Sequence, residues 1–343
     1  MTRLVKKAII AVLISVIAVI VIAASLDIEI SEVLTIGLVP FGLSALFATL
    51  ALVVKGLRFY LLANGYQKDL RISFRESIVV RIASEFVALV SVSFIGDEAF
   101  RFGWLAKRGI NSGKALWIAY AEILFDVLIG TIIAITTSII LLLLGNLMLG
   151  IVIGIISASI LLTHLLIVIL SGRKGVTVPK MIRELIKRLF KQKGESIIES
   201  IQNTLRNFSE TARMVFRRSY SSYRLLALNA VTTIIIALLH GASLCVLLNA
   251  IGVQIDILAS MLVVYATFTL AALPITIGGS GLAEIGTALI SSSFAAINTW
   301  GVALAWRITN YHVQLAVSGP FLIKVLWSLG ASSSNTRNEH SRG

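Results

Sequence analysis

Apolar runs long enough to cross a bilayer recur along the whole chain, near 8–26, 33–54, 115–143, 147–171, 225–248 and 300–329. Each approaches or exceeds the roughly 20 residues that a helix needs to cross a hydrocarbon layer of ~30 Å. A backbone in lipid must satisfy its own hydrogen bonds, so these runs predict helices and the chain as a whole an all-α integral membrane protein. Two further apolar segments, 72–95 and 257–294, break the pattern. In the first, Arg75, Glu76, Arg81 and Glu85 precede the run from Phe86 to Val90, and Asp97, Glu98 and Arg101 follow it. A straight crossing would place these charges in lipid. A segment that enters, turns around Ser93 to Gly96 and returns through Asp97 to Lys107 keeps both ends on one side, which predicts a re-entrant hairpin. In the second, Ile257 to Ala272 is apolar, Pro274 stops the helix, and "ITIGGSGLAEIGTALI" turns on Gly278, Gly279 and Gly281 before a short helix bearing Glu284.

The polar stretches between spans sort by charge. The N-terminus and a predicted loop at 55–75 (Lys55, Arg58, Lys68, Arg71, Arg75) are basic, whereas 27–32 carries only Asp27, Glu29 and Glu32. The bias of basic residues toward the cytoplasm then puts both termini on the cytoplasmic side of a plasma membrane, with six full crossings. The longest polar stretch, 173–224, holds thirteen Lys or Arg against four Glu, a net +9 of the chain's +13. Met181, Leu185, Ile186 and Phe190, then Ile197, Ile198, Ile201, Leu205 and Phe208, recur within it at helical spacing, which predicts a cytoplasmic connector of basic amphipathic helices on the inner leaflet. Trp104, Trp117 and Trp327, with Tyr60, Tyr66, Tyr220 and Tyr223, fall near expected span ends, as an interfacial belt would. Small residues Gly150, Gly154 and Ser157 share a face of the fourth span and predict close helix packing.

Composition agrees with this frame, since 57% of the residues are apolar and only 14% charged, against roughly 25% charged in soluble domains. The single cysteine, Cys245, excludes a disulfide framework and a cysteine metal site. The basic stretch lacks the interleaved aromatics of a nucleic-acid-binding fold, so nucleic acid is not an expected partner. No Walker A motif, HExxH or paired cysteine is present, and no cofactor is implied.

The two hairpins share a grammar. Gly96 stands five residues before Arg101 and Gly279 five before Glu284; Glu122 and Asp126 follow the first glycine as Arg307 and Tyr311 follow the second, at offsets of 26 and 28 for the leading residue of each pair. This reads as an internal repeat, about 33–143 and 225–329, each half a span, a hairpin and a span. With six crossings the two hairpins open on opposite sides, making the repeats inverted, an arrangement that places a site at the membrane midplane between halves. The domain expected is a single unit, 1–330, with 331–343 a disordered tail.

Intramembrane charges cost at least ~2.5 kcal/mol each and demand partners. Complementary signs predict Arg101 against Glu284 and Glu122 and Asp126 against Arg307. Two readings stand: ion pairs that lock the halves together, or a polar cavity in which Asp97, Arg101, Glu122, Asp126, Gly278, Gly279, Gly281, Glu284, Arg307 and Tyr311 contact a headgroup. Arginine suits a phosphate, and glycine turns at broken helix ends offer N–H groups to an anion. Of the histidines, His164 and His240 read as interhelical groups, and His312, beside Arg307, as nearest the cavity.

The stretches "GDEAFR" (96–101), "AEILFD" (121–126), "PITIGGSGLAEIG" (274–286) and "RITNY" (307–311) resemble the flippase-like transmembrane region of lysylphosphatidylglycerol synthases and related stand-alone membrane proteins, over about residues 5 to 330. Ser93 and Phe94 stand where that family usually has a proline. The resemblance implies movement of a phospholipid or lipid-linked headgroup between leaflets, with no catalytic residues. No aminoacyl-transfer domain is expected after Gly330, where "ASSSNTRNEHSRG" follows. The partners this implies are membrane lipid, a separately encoded lipid-modifying enzyme and further copies of the chain. An embedded lipid-linked transferase, using carboxylates such as Glu85 and Asp97 as acid and base, and an accessory partner of one remain the alternatives.

Overall fold

The structure, a computed structural model, describes residues 33–67, 71–91, 96–171, 177–190, 194–217, 220–295 and 297–340, and single positions 13, 17 and 20. The expected first span at 8–26, apart from those three positions, the acidic stretch 27–32 and the turn holding Ser93 and Phe94 lie outside the described residues.

The chain is an all-α integral membrane protein. Five helices are long and apolar enough to cross a membrane: α1 (Leu38–Tyr66), α4 (Ser112–Leu143), α5 (Leu147–Ser171), α8 (Tyr220–Ala250) and a composite of α11 (Trp300–Arg307), a π turn (Ile308–His312) and α12 (Val313–His340). They occupy the expected spans from the second to the sixth. α1, however, runs through residues read as a loop, so Lys55 and Arg58 are helical. The last helix continues through 331–340, the stretch for which the sequence suggested a disordered tail. The surface of α5 is apolar, exposing Ile151, Ile155, Leu162 and Ile169, as a lipid-facing helix should.

The two awkward segments become helical hairpins. α2 (Phe74–Leu89) and α3 (Gly96–Lys107) form the first, α9 (Ile257–Ala271) and α10 (Leu282–Ala295) the second. Their arms of 16, 12, 15 and 14 residues fall short of a crossing. Local chemistry starts and stops them. Ser73 accepts from the Glu76 N–H at 3.2 Å, and Asp256 accepts from the Ala259 N–H at 2.7 Å, capping the entry arms. Gly278, Gly279 and Gly281 take φ of +59°, +67° and +89°, which lets the chain reverse after Pro274. The hairpin tips meet, the Gly278 N–H donating to the Ser91 carbonyl at 3.2 Å.

Packing within one half has a counterpart in the other. α1 lies on α2 as α8 lies on α9; α3 lies on α4 as α10 lies on α11; α2 packs on α12 as α9 packs on α4; and α1 packs on α8. The crossing pairs are antiparallel. Ser44 meets Ser243, Arg58 meets Thr233 and a Cβ on Gly65 would strike Leu225, so residue numbers rise along α1 as they fall along α8. Two principal apolar cores result, one around Leu141, Leu244 and Trp306, the other around Phe59, Leu105 and Trp117. The second core corrects the expected belt, because Trp104 and Trp117 are buried, against Phe59 and against Tyr66 and Phe208. Only Trp327 of the three is exposed. The small residues of α5 do allow close approach: Ser138 Oγ donates to the Gly150 carbonyl at 2.7 Å, and a Cβ on Gly154 would lie 2.7 Å from that hydroxyl.

Candidate functional site

Four elements of the first half each bring two charges one helical turn apart: Lys55 and Arg58 on α1, Arg81 and Glu85 on α2, Asp97 and Arg101 on α3, Glu122 and Asp126 on α4. They join in one chain of alternating sign. Lys55 Nζ lies 3.3 Å from Glu85, which accepts from Arg81 at 2.9 Å. Arg81 reaches Asp97 at 2.9 Å, and Asp97 Oδ2 accepts from Arg101 Nη1 at 3.2 Å while Nη2 lies 2.8 Å from Oδ1. Arg101 Nε stands 3.2 Å from Glu122, whose other oxygen faces Arg58 Nε at 3.3 Å. Arg58 closes the run with a fork onto both oxygens of Asp126, at 2.5 and 2.7 Å, and a further bond of 2.8 Å to Thr233 Oγ1. Four cations and four carboxylates thus neutralise one another, which is how buried charge becomes tolerable.

The second half has its own pair. Arg307 Nε lies 3.0 Å from Glu284, while Nη2 donates to the Gly278 carbonyl and to Ser280 Oγ, each at 2.9 Å. Its guanidinium carbon sits 3.8 Å from the centre of the Tyr311 ring, and Tyr311 Oη donates to the Leu89 carbonyl at 3.0 Å. Arg307 stands at the start of the π turn and Tyr311 lies within it, where the extra residue per turn re-aims side chains locally.

These pairings correct the sequence expectation. Arg101 pairs with Asp97 and Glu122 rather than Glu284, and Arg307 with Glu284 rather than Glu122 or Asp126. The physical reason is reach: a partner on the next turn or the adjoining arm is fixed by local geometry. The glycine register nevertheless holds a meaning. Arg101 and Glu122 occupy the positions aligned with Glu284 and Arg307, and each couple forms the same bond with the signs exchanged. The contacts named between halves, Tyr311 to Leu89, Gly278 to Ser91, Ser44 to Ser243 and Arg58 to Thr233, each have a neutral partner.

A cavity of about 340 Å³ lies between the halves. Asp97, Asp126, Arg307 and Tyr311 line it, joined by the charged Lys55, Arg81, Glu85 and Glu98 and by the aromatic Tyr265, Phe268 and Trp306. Asp126 is its most open acid among the paired ones, 40% exposed, against 14% for Glu85 and 7% for Asp97. Arg101, Glu122 and Glu284 stand behind the wall, all but sealed from solvent. Gly278, Gly279 and Gly281 shape the hairpin turn rather than the lining; the N–H groups of Gly278, Ser280 and Gly281 are engaged by Ser91, Ile277 and Glu284. His240 lines the cavity, which the sequence did not suggest, whereas His312 lies outside the lining and His164 stacks on Tyr120. Lys55, Arg58 and Arg81 were missed as site residues. Their signal was present in the spacing of Lys55 and Arg58 three apart at the end of an apolar run. Among the described residues no three His, Cys, Asp or Glu stand together as metal ligands.

Comparison with known proteins agrees with the motifs. The chain is similar to a UPF0104 membrane protein of Archaeoglobus fulgidus, 29% identical over 266 residues, covering 76% of this chain and 78% of that one. No solved structure matches it. The family described as the lysylphosphatidylglycerol synthase transmembrane region matches residues 8–318, and the chain belongs to that family.

Proposed function

We propose that this protein moves a phospholipid or lipid-linked headgroup across the membrane, through the cavity between two inverted repeats. The observation that carries the reading is the cavity itself: charged side chains backed by a network of ion pairs, and aromatic side chains, brought together from both halves of an otherwise apolar chain. A headgroup needs polar contacts to leave water, and a neutralised charge network offers them without a fixed net charge to trap it. The inverted repeat is supported by the matching packing pairs, by the antiparallel run of α1 against α8, and by the sign-exchanged pairs Arg101–Glu122 and Glu284–Arg307. Because the ion pairs named above lie within a half, one half can rock on the other by exchanging weaker hydrogen bonds, as alternating access requires. The test is transbilayer movement of a labelled phospholipid in vesicles reconstituted with the purified chain. Movement faster than in protein-free vesicles supports the reading, and equal rates overturn it.

The same reading sets orientation in the plasma membrane. Arg71 and Ser196 are exposed at the end of the bundle that carries the basic connector, and Asn146 and Gln254 at the other end. In a Cys245→Ser background, Asn146→Cys and Gln254→Cys should react with an impermeant thiol reagent on intact cells, while Arg71→Cys and Ser196→Cys should react only after lysis. The reverse labelling would contradict a cytoplasmic connector.

A further inference from the structure

The basic connector divides into two helices with different faces, α6 (Lys180–Phe190) and α7 (Gly194–Arg217). α7 spends its apolar face on the bundle. Ile198, Phe208 and Ala212 are buried, Phe208 packs against Trp117 and Tyr120, and Asn207 and Phe208 press on Gly113 at the start of α4. The expected placement of both connector helices on a leaflet therefore does not describe α7.

α6 is otherwise. Met181, Ile182, Leu185 and Leu189 are 80, 44, 55 and 67% exposed, and at 100° per residue they fall on one arc. Ile186, at the edge of that arc, is buried. Lys180, Arg183, Lys187 and Arg188 occupy the opposite arc with a single acid, Glu184, and all five are exposed. Polar contacts tie this segment to its neighbour: just ahead of the helix the Val178 N–H donates to Gln202 at 2.9 Å, and on it Lys187 pairs with Glu195 at 2.6 Å. That ammonium also holds the Glu195 carboxyl below its ordinary range.

From this geometry we infer that α6 is a membrane-surface anchor selective for anionic lipid, its Met181–Ile182–Leu185–Leu189 face seated among acyl chains and Arg183 and Arg188 on lipid phosphates. An apolar face of this size flanked by basic residues is what an interfacial helix presents, and the positive balance matches a negatively charged leaflet. The occupant is the bilayer the bundle already spans, because α7 fixes α6 at the end of that bundle. Clamped through α7 to α4, the anchor adjoins the helix that carries Glu122 and Asp126. The inference holds whether or not the cavity carries lipid.

The test uses the full chain with Cys245→Ser in nanodiscs containing spin-labelled lipid, a fluorophore being placed at Leu185→Cys or, on the polar face, Glu184→Cys. In discs of phosphatidylcholine mixed with phosphatidylglycerol, the 185 label should be quenched by lipid and the 184 label should not. Quenching at 185 should fall in pure phosphatidylcholine and in the Arg183→Glu/Arg188→Glu variant. Equal quenching at both positions, or quenching at 185 that ignores lipid charge, would overturn the inference. So would protection of 185 that follows the number of copies per disc, since a second copy would then be the occupant.

Discussion

Replacing Arg58 with methionine should destabilise the protein by about 3–5 kcal/mol, more than loss of any other charge in the network. Arg58 is 1% exposed and serves Glu122, both oxygens of Asp126 and Thr233, so its removal leaves one carboxylate of the network without a counterion. Glu122 keeps Arg101, whereas Asp126 loses its ion-pair partner. The double variant Arg58→Met/Asp126→Asn should therefore recover a large part of the loss, because it removes the stranded charge with its counterion. Lys55→Met should cost far less, since among the described residues Lys55 pairs with Glu85 alone, at 3.3 Å, and Glu85 retains Arg81. Thermal unfolding in detergent would measure all three. Arg58→Met melting with the wild type would show that the network is not structural at Arg58.

Gly278→Ala should be nearly as damaging, and for a different reason. Gly278 sits at φ +59°, and a Cβ there would lie 2.6 Å from both the Leu89 carbonyl oxygen and the Tyr311 ring. The left-handed backbone costs an alanine about 1–2 kcal/mol, and the clash adds roughly 1–3 kcal/mol as the hairpin tips are forced apart. Gly281 is a built-in control. Its φ is +89°, but a Cβ there meets nothing within 4 Å, so Gly281→Ala should show the backbone cost alone. Equal melting temperatures for the two variants would mean that the tips are not in the contact described.

Much of the architecture was legible because membrane spans announce themselves by length: five of the six expected spans, the two hairpins and the glycine turn all lie where the pattern put them. What the pattern hid was buried charge. Arg58 read as the start of a basic loop because charge usually marks the end of a span, yet α1 has 29 residues, about 44 Å at 1.5 Å each. Its partners stand 64, 68 and 175 residues away, beyond any periodicity. The pairing of Arg101 with Asp97 was readable as an i,i+4 couple; complementarity between halves was the more attractive guess, and local geometry decided otherwise. The candidate residues divided on one physical point. Those on the cavity side of the network, Asp97, Asp126, Arg307 and Tyr311, face the space, and those behind it hold the wall.

The most direct test of the cavity as a route is to close it without touching the charges. Ala272 lines the cavity at the end of α9, and Leu162 faces outward on α5, 65% exposed. In reconstituted vesicles carrying a fluorescent phospholipid, with a membrane-impermeant reductant added outside, the wild type should expose inner-leaflet lipid faster than protein-free vesicles. Leu162→Trp should match the wild type, and Ala272→Trp should fall to the protein-free rate with its melting temperature retained. Wild-type lipid movement in a folded Ala272→Trp protein would contradict the cavity as the path.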